Sequence, residues 1–186
     1  MIDLAKIVWG ITGSGDKIDE VYDAMLKLHQ KTDIRIKVIV SKAGEQVLRW
    51  YKLWDRLNES FDKVLVETNV NVPFIAGLLQ IGKYDLLVVA PLTANSTAKI
   101  AHGIADTLIT NAVAQTLKGT TPVLLMPVDQ QPGEVKTVDP NNEEFIIKTR
   151  RIDLENVARL REMDGVTLLG SPADIAARIS EMVKSE

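Results

Sequence analysis

Small, hydroxylated and amide side chains collect at three places in this sequence, each directly behind an apolar run. Gly10 lies near the end of AKIVWGI at positions 5–11, and Thr12, Gly13, Ser14 and Gly15 follow it; Ser41 follows IRIKVIV at 34–40. Pro91, Leu92, Thr93, Ala94, Asn95 and Thr97 follow YDLLVVA at 84–90. Glycines let a backbone approach a phosphate closely, and the first N–H groups of a following helix are free to take an anion or a planar ring edge. The hydroxyls of Thr12 and Ser14 can add donors. The glycine spacing is neither G-x-G-x-x-G nor a Walker A sequence, and Asp16, Asp19 and Glu20 oppose an incoming dianion unless they point away. A tight turn that binds nothing accounts for the same glycines, and a helix cap accounts for Ser41 equally well.

Other chemistries are poorly supplied. With no cysteine, the chain has no disulfide, thiolate metal site or cysteine nucleophile. Its two histidines, His29 and His102, fit no metal-ligand spacing, no G-x-S-x-G elbow occurs, and no carboxylate pair stands out as acid and base. We therefore assign no catalytic side chain and no metal ligand. Such a chain does redox work only through a bound cofactor, which carries the hard chemistry while the protein positions it. The balance of 22 basic against 25 acidic residues, net charge -3, with no long basic run, argues against nucleic acid. No apolar run nears the ~18 residues of a membrane span and no leader pattern opens the sequence, so an intracellular, cytoplasmic, soluble protein is expected.

The elements that must position these residues alternate strand and helix. Strands are predicted at 5–11, 34–40, 63–66, 84–90 and 122–126, with helical spacing after each turn: Ile18 to Leu28 behind an Asp16 cap, Glu45 to Leu57, Phe74 to Ile81, and Ala101 to Leu117. Val47, Trp50, Tyr51, Trp54 and Leu57 fall on one face of the second helix, read as core or as a subunit contact, with ring stacking as the lesser alternative. Residues 127–142 read as a long loop or flap, 144–149 as strand-like, then a helix capped by Asp153 through Met163, a strand at 166–169 and a last helix from Ser171-Pro172. This is an α/β fold, a doubly wound parallel sheet in a Rossmann-like, flavodoxin-like three-layer sandwich, and the three polar turns all fall at the carboxyl ends of its strands. One domain is expected over 1–186: a core over 1–127, a flap over 128–143 and a C-terminal part over 144–186. The cations Lys148, Arg150 and Arg151 form a solvated patch or a dock for an acidic partner.

The stretch APLTANST at 90–97 with GIADTL at 103–108 resembles the P-x-[ST]-A-N-T and G-x-[AC]-D-x-L motifs of the homo-oligomeric flavin-containing cysteine decarboxylase superfamily. Within it, WGITGSGDKI, AHGIADTLITNAVAQ and RRIDLENVARLREMDGV are similar to archaeoflavoproteins. The resemblance implies an FMN-binding homo-oligomer that passes electrons from ferredoxin or another carrier to a redox partner. It places the FMN phosphate at Gly13, Ser14, Gly15 and Ser41 and the ring beside 92–97, with Gly10, Thr12 and Pro91 in the surrounding turns. The alternative is an FMN-dependent reductase of a pterin-like substrate, with the flap as its lid. Decarboxylation is disfavoured: Pro73 to Gln80 lacks the histidine of the decarboxylating members, and Met126 to Gly133 lacks their P-x-M-N-x-x-M-W clamp.

Overall fold

The computed structural model describes residues 4–183. In chain order it runs β1 (Lys6–Ile11), α1 (Ile18–Lys31), β2 (Arg35–Val40), α2 (Lys42–Trp50), α3 (Trp54–Ser60), β3 (Val64–Val66), α4 (Ala76–Gln80) and β4 (Leu86–Leu92). Then follow α5 (Ala94–Ala101), α6 (Leu108–Thr116), β5 (Val123–Pro127), β6 (Glu134–Val138), β7 (Glu144–Lys148), α7 (Arg151–Arg161), β8 (Val166–Leu168), a short 3-10 turn and α8 (Ile175–Val183).

Six strands pair in parallel in the order β3-β2-β1-β4-β5-β8, while β6 and β7 form a separate antiparallel hairpin. The central strands are apolar throughout because both faces of the sheet are covered. Alternate side chains enter two cores: Ile7, Trp9, Ile11, Leu86, Val88 and Ala90 pack with α1, α3 and α8 on one face. Val8, Leu87, Val89, Val123 and Leu125 pack with α4, α5 and α6 on the other. The connections run one way from β1 to β2 and β3 and the opposite way to β4, β5 and β8, so the chain reverses between β1 and β4. A crevice opens outside the carboxyl ends of strands at such a reversal. The doubly wound reading of the sequence is thus borne out.

Several local readings need correction. The stretch 45–57 is two helices, broken at Tyr51 to Leu53 with Lys52 at φ 57. Leu48, Leu53 and Leu57 are the buried residues there, whereas Trp50 is 55% exposed and belongs to no core. The helix read from Ala101 onward is likewise divided. Gly103, at φ +72, lies just beyond α5, and Thr107 opens α6 in a capping box with Thr110. Strand β4 continues through a cis Ala90-Pro91 bond to Leu92, so the expected turn over 91–95 shrinks to Thr93, which caps α5 through Ser96 N–H at 3.1 Å. Asp16 is not the cap of α1; Lys17 occupies that position at φ 60 without a side-chain cap. The segment read as loop contains β6. Phe74, expected in a helix, precedes it and is 72% exposed.

Candidate functional site

The turn after β1 and the start of α5 meet at the chain reversal, and Thr12 joins them. Its hydroxyl donates to Pro91 O at 2.8 Å and accepts from Thr93 N–H at 2.9 Å, while Thr12 N–H donates to Pro91 O at 3.3 Å. Beneath this staple, the Trp9 indole donates to Ala90 O at 2.7 Å. The Gly13 backbone lies against α2 so closely that a Cβ there would come within 2.7 Å of Ala43 Cβ. A Cβ on Gly15 would meet the Tyr51 ring. Small residues are thus required where turn and helix touch.

The two segments border a cavity of ≈ 320 Å³. Its floor is Gly13, Ser14, Gly15, Asp16, Thr93 and Ala94; one wall is Val47, Trp50 and Tyr51 of α2 and its end; Val128 and Asp129 close another side. The last wall is the hairpin. Val135 pairs with Ile147 and Thr137 with Phe145 in the ladder, so strand alternation puts all four on one face, and all four line the cavity. Tyr51 OH reaches Val138 O at 3.5 Å, tying hairpin to helix. A larger lobe of ≈ 530 Å³ adjoins it and shares Gly15, Asp16, Tyr51 and Thr137.

Backbone donors are left over here. Among the described residues, no acceptor is paired with the N–H of Gly13, Gly15 or Asp16 in the turn, nor with that of Ala94 or Asn95 at the α5 N-terminus. Unpaired amides around a concave surface, with a helix N-terminus among them, make an anion-receptive site. Nearby carboxylates are adjusted accordingly. Burial, opposed by Lys17, raises the Asp16 carboxyl above its ordinary range. Burial and then the charges of Asp153 and Asp16 raise Asp129 against Arg150 and Lys17. Burial, then Asp19, Asp139 and Asp16, raises the Tyr51 phenol, which stays neutral.

Of the residues the sequence marked, Gly13, Ser14, Gly15, Thr93 and Ala94 come together on the cavity floor. Thr12 lies just beneath it as the staple. Gly10 is inside β1, where a Cβ would press on Ile109 at 3.2 Å; Pro91 and Leu92 are buried in β4. Asn95 is exposed on α5, and Thr97 is buried with Oγ1 lacking a hydrogen-bond partner among the described residues. Ser41 abuts the end of β1 through its N–H to Ile11 O at 3.0 Å, but its hydroxyl accepts from Gly44 N–H at 3.0 Å as the cap of α2. The cap reading of Ser41 is the one its geometry expresses. His102 bonds Asn156 Oδ1 at 3.1 Å, a contact between α5 and α7.

The sequence reading held the aromatic wall only as its lesser alternative and missed the hairpin pairing and Asp129. Their signal was present in the alternation of EVKTV and EFIIK, two short β-forming runs around a turn. It also missed Glu67, whose carboxylate accepts from Leu108 N–H at 2.8 Å and Lys42 N–H at 3.1 Å, thereby serving two helix N-termini at once. The cations at 148–151 are not a free basic patch. Arg150 pairs with Asp153 and Arg151 with Glu155, each at 2.7 Å, and Lys148 stands opposite Glu134 in the hairpin. Among the described residues no cluster of metal-ligating side chains occurs, and no helix is long and apolar enough to cross a membrane.

Comparison with known proteins agrees with this fold. A protein of Methanocaldococcus jannaschii of uncharacterized function is 51% identical over 172 residues, covering 92% of each chain. The dihydromethanopterin reductase (acceptor) of the same organism is 39% identical over 143 residues, 73% of this chain but only 58% of that protein. The crystal structure of Burkholderia xenovorans DmrB in complex with FMN, described as a cubic protein cage for redox transfer, superposes with a TM-score of 0.81 at 34% identity, covering 100% of this chain and 98% of that one. The Flavoprotein family model matches residues 1–185, and this chain is a member of that family.

Proposed function

We propose that the protein is an FMN-dependent oxidoreductase that reduces a small oxidised acceptor. The observation that carries the cofactor is the set of unpaired N–H groups at Gly13, Gly15, Asp16 and Ala94 around one cavity. They fit the FMN phosphate, with the Ser14 hydroxyl beside them. Val47, Tyr51 and Ile147 offer the apolar and aromatic surface that the flavin ring needs, and Trp50 and Phe145 extend it. When bound, FMN supplies the electron and hydride chemistry that no side chain here provides. The chain's own part is to hold the anion, exclude water with the hairpin, and keep Tyr51 neutral.

The adjoining ≈ 530 Å³ lobe favours a reductase over a bare electron carrier, because together with the smaller cavity, with which it shares Gly15, Asp16, Tyr51 and Thr137, it makes one cleft with room for a cofactor and a small molecule. Relatives named as dihydromethanopterin reductases support a pterin-like acceptor. Delivery of electrons by ferredoxin loses part of its structural motive, because Arg150 and Arg151 are paired with Asp153 and Glu155. The exposed Val72, Phe74 and Ile81, together with the cage formed by the DmrB relative, support assembly as a homo-oligomer.

The test is spectroscopic. The purified protein is expected to carry or take up FMN, giving the visible flavin band, and its photoreduced form is expected to be reoxidised rapidly by dihydropterin. A protein that stays colourless after incubation with FMN refutes the cofactor. A reduced flavin that ignores dihydropterin but is reoxidised by ferredoxin-type carriers refutes the reductase in favour of the carrier.

A further inference from the structure

Asp129 is a carboxylate for which the cavity provides no partner. It lines the wall between the glycine turn and the hairpin, half-buried, and among the described residues its carboxylate makes no hydrogen bond or ion pair. The nearby guanidinium of Arg150 is engaged by Asp153 through two bonds of 2.9 and 2.7 Å. Both neighbours of Asp129 are held. Val128 N–H donates to Leu92 O at 3.1 Å, and the side-chain Nε2 of Gln130 donates to Pro127 O at 2.8 Å and Leu169 O at 2.6 Å. A half-desolvated carboxylate with no protein donor gains from a ligand that brings donors.

The kind of ligand follows from the surroundings. Trp50 is 55% and Phe145 44% exposed at this cavity, unusual exposure for rings that a planar occupant would cover. A carboxylate presents two acceptors side by side and matches an edge with two parallel N–H donors, as in an amidine or a 2-amino nitrogen heterocycle. The flavin edge does not match, since its ring N–H is flanked by two carbonyl oxygens that a carboxylate repels. The occupant that satisfies Asp129 is therefore the second molecule and not the cofactor.

We propose that Asp129 is the specificity-determining residue of the cleft, its carboxylate accepting the ring N–H and exocyclic amino group of a planar 2-amino nitrogen heterocycle of the pterin class. This rests on the FMN-reductase reading of the same cleft and adds to it the group that selects the acceptor.

The experiment compares two probes on one bicyclic frame: pterin, which carries the 2-amino group, and lumazine, which has a carbonyl there. FMN uptake is measured first, by absorbance, on the wild type and on Asp129→Asn; each probe is then titrated into the FMN-loaded proteins by calorimetry. The wild type is expected to prefer pterin by about 10- to 100-fold, the range for a charge-assisted pair of hydrogen bonds, and Asp129→Asn to lose that preference while binding lumazine no more weakly. Equal binding of the two probes by FMN-loaded wild type, or undiminished preference in Asp129→Asn, overturns the role of Asp129 and leaves the flavin reading standing. A wild type that takes up no FMN overturns both. Should the variant not fold, the wild-type ratio alone decides.

Discussion

Thr12 is the residue on which the geometry of the cavity floor depends, and Thr12→Val tests that dependence with almost no change of shape. The side chain is 2% exposed, and its hydroxyl bridges the turn after β1 to the start of α5 by donating to Pro91 O at 2.8 Å and accepting from Thr93 N–H at 2.9 Å. Valine removes both bonds and leaves Thr93 N–H without an acceptor. Two net hydrogen bonds at about 1 kcal/mol each, plus the partial desolvation penalty of the orphaned donor, give a loss of roughly 2–4 kcal/mol. For a chain of this length that corresponds to a fall in Tm of roughly 6–12 °C. Thr12→Ser keeps the hydroxyl and loses only the methyl, with an expected cost of about 1 kcal/mol. Urea unfolding of all three proteins at one protein concentration, followed by circular dichroism, gives the differences, with the slope of the transition required to stay constant. FMN affinity is expected to fall with stability in Thr12→Val and to be nearly unchanged in Thr12→Ser, since the staple sets the spacing between the two groups of free amides. A Thr12→Val protein within ~0.5 kcal/mol of wild type, or a Thr12→Ser protein destabilised as much as Thr12→Val, refutes the reasoning.

Two further outcomes follow from contacts outside the cavity. Glu67→Gln retains only one good acceptor and no charge for the amides of Lys42 and Leu108, so urea unfolding should show a loss of roughly 1–2 kcal/mol, and Glu67→Ala should lose more. Equal stability of Glu67→Ala and wild type would mean that water serves both helix ends as well. Asp153→Asn should cost roughly 1–2 kcal/mol at neutral pH, because Asp153 is 4% exposed and holds Arg150 through side-chain and backbone bonds. The hydrogen bonds from Arg150 hold its carboxyl below the ordinary value of 3.8, so its contribution is complete above that pH and disappears as the folded carboxyl is protonated below it. The stability curves of variant and wild type against pH should therefore converge only in strong acid; convergence already at neutral pH would contradict the pairing.

What could be read from the sequence, and what could not, divides along one physical line. The strands of the main sheet were legible because burial on both faces makes them continuous apolar runs, and those runs fix both the fold class and the end of the sheet where polar turns collect. The floor of the cavity was legible for the same reason: Gly13 to Gly15 and Thr93-Ala94 stand directly behind two such runs. Helix breaks were not. Val47, Trp50, Tyr51 and Trp54 keep the spacing of one continuous helix, and only the positive φ at Lys52, a residue that carries no turn signature, divides it and swings Trp50 from a core position to the cavity wall. The hairpin was only half legible, 144–149 reading as strand-like and 134–138 as loop, for the opposite reason. EVKTV and EFIIK form strands without a core to bury them, so their apolar residues remain exposed and dilute among charges, and only pairing in three dimensions gathers Val135, Thr137, Phe145 and Ile147 on one face.

The same line separates two kinds of work in the site. The groups proposed to hold an anion are backbone amides at the ends of deeply buried strands, where position is dictated by the sheet and side-chain identity matters mainly as the absence of bulk at Gly13 and Gly15. Those that would select a second molecule, Trp50, Phe145 and Asp129, sit on elements outside the sheet, where no buried run constrains the residue type. Cofactor binding therefore belongs to the part of the chain that cannot change without losing the fold. Choice of acceptor belongs to the part that can, so relatives of one fold can share a flavin floor while differing in what the hairpin and the turn after β5 present to the substrate.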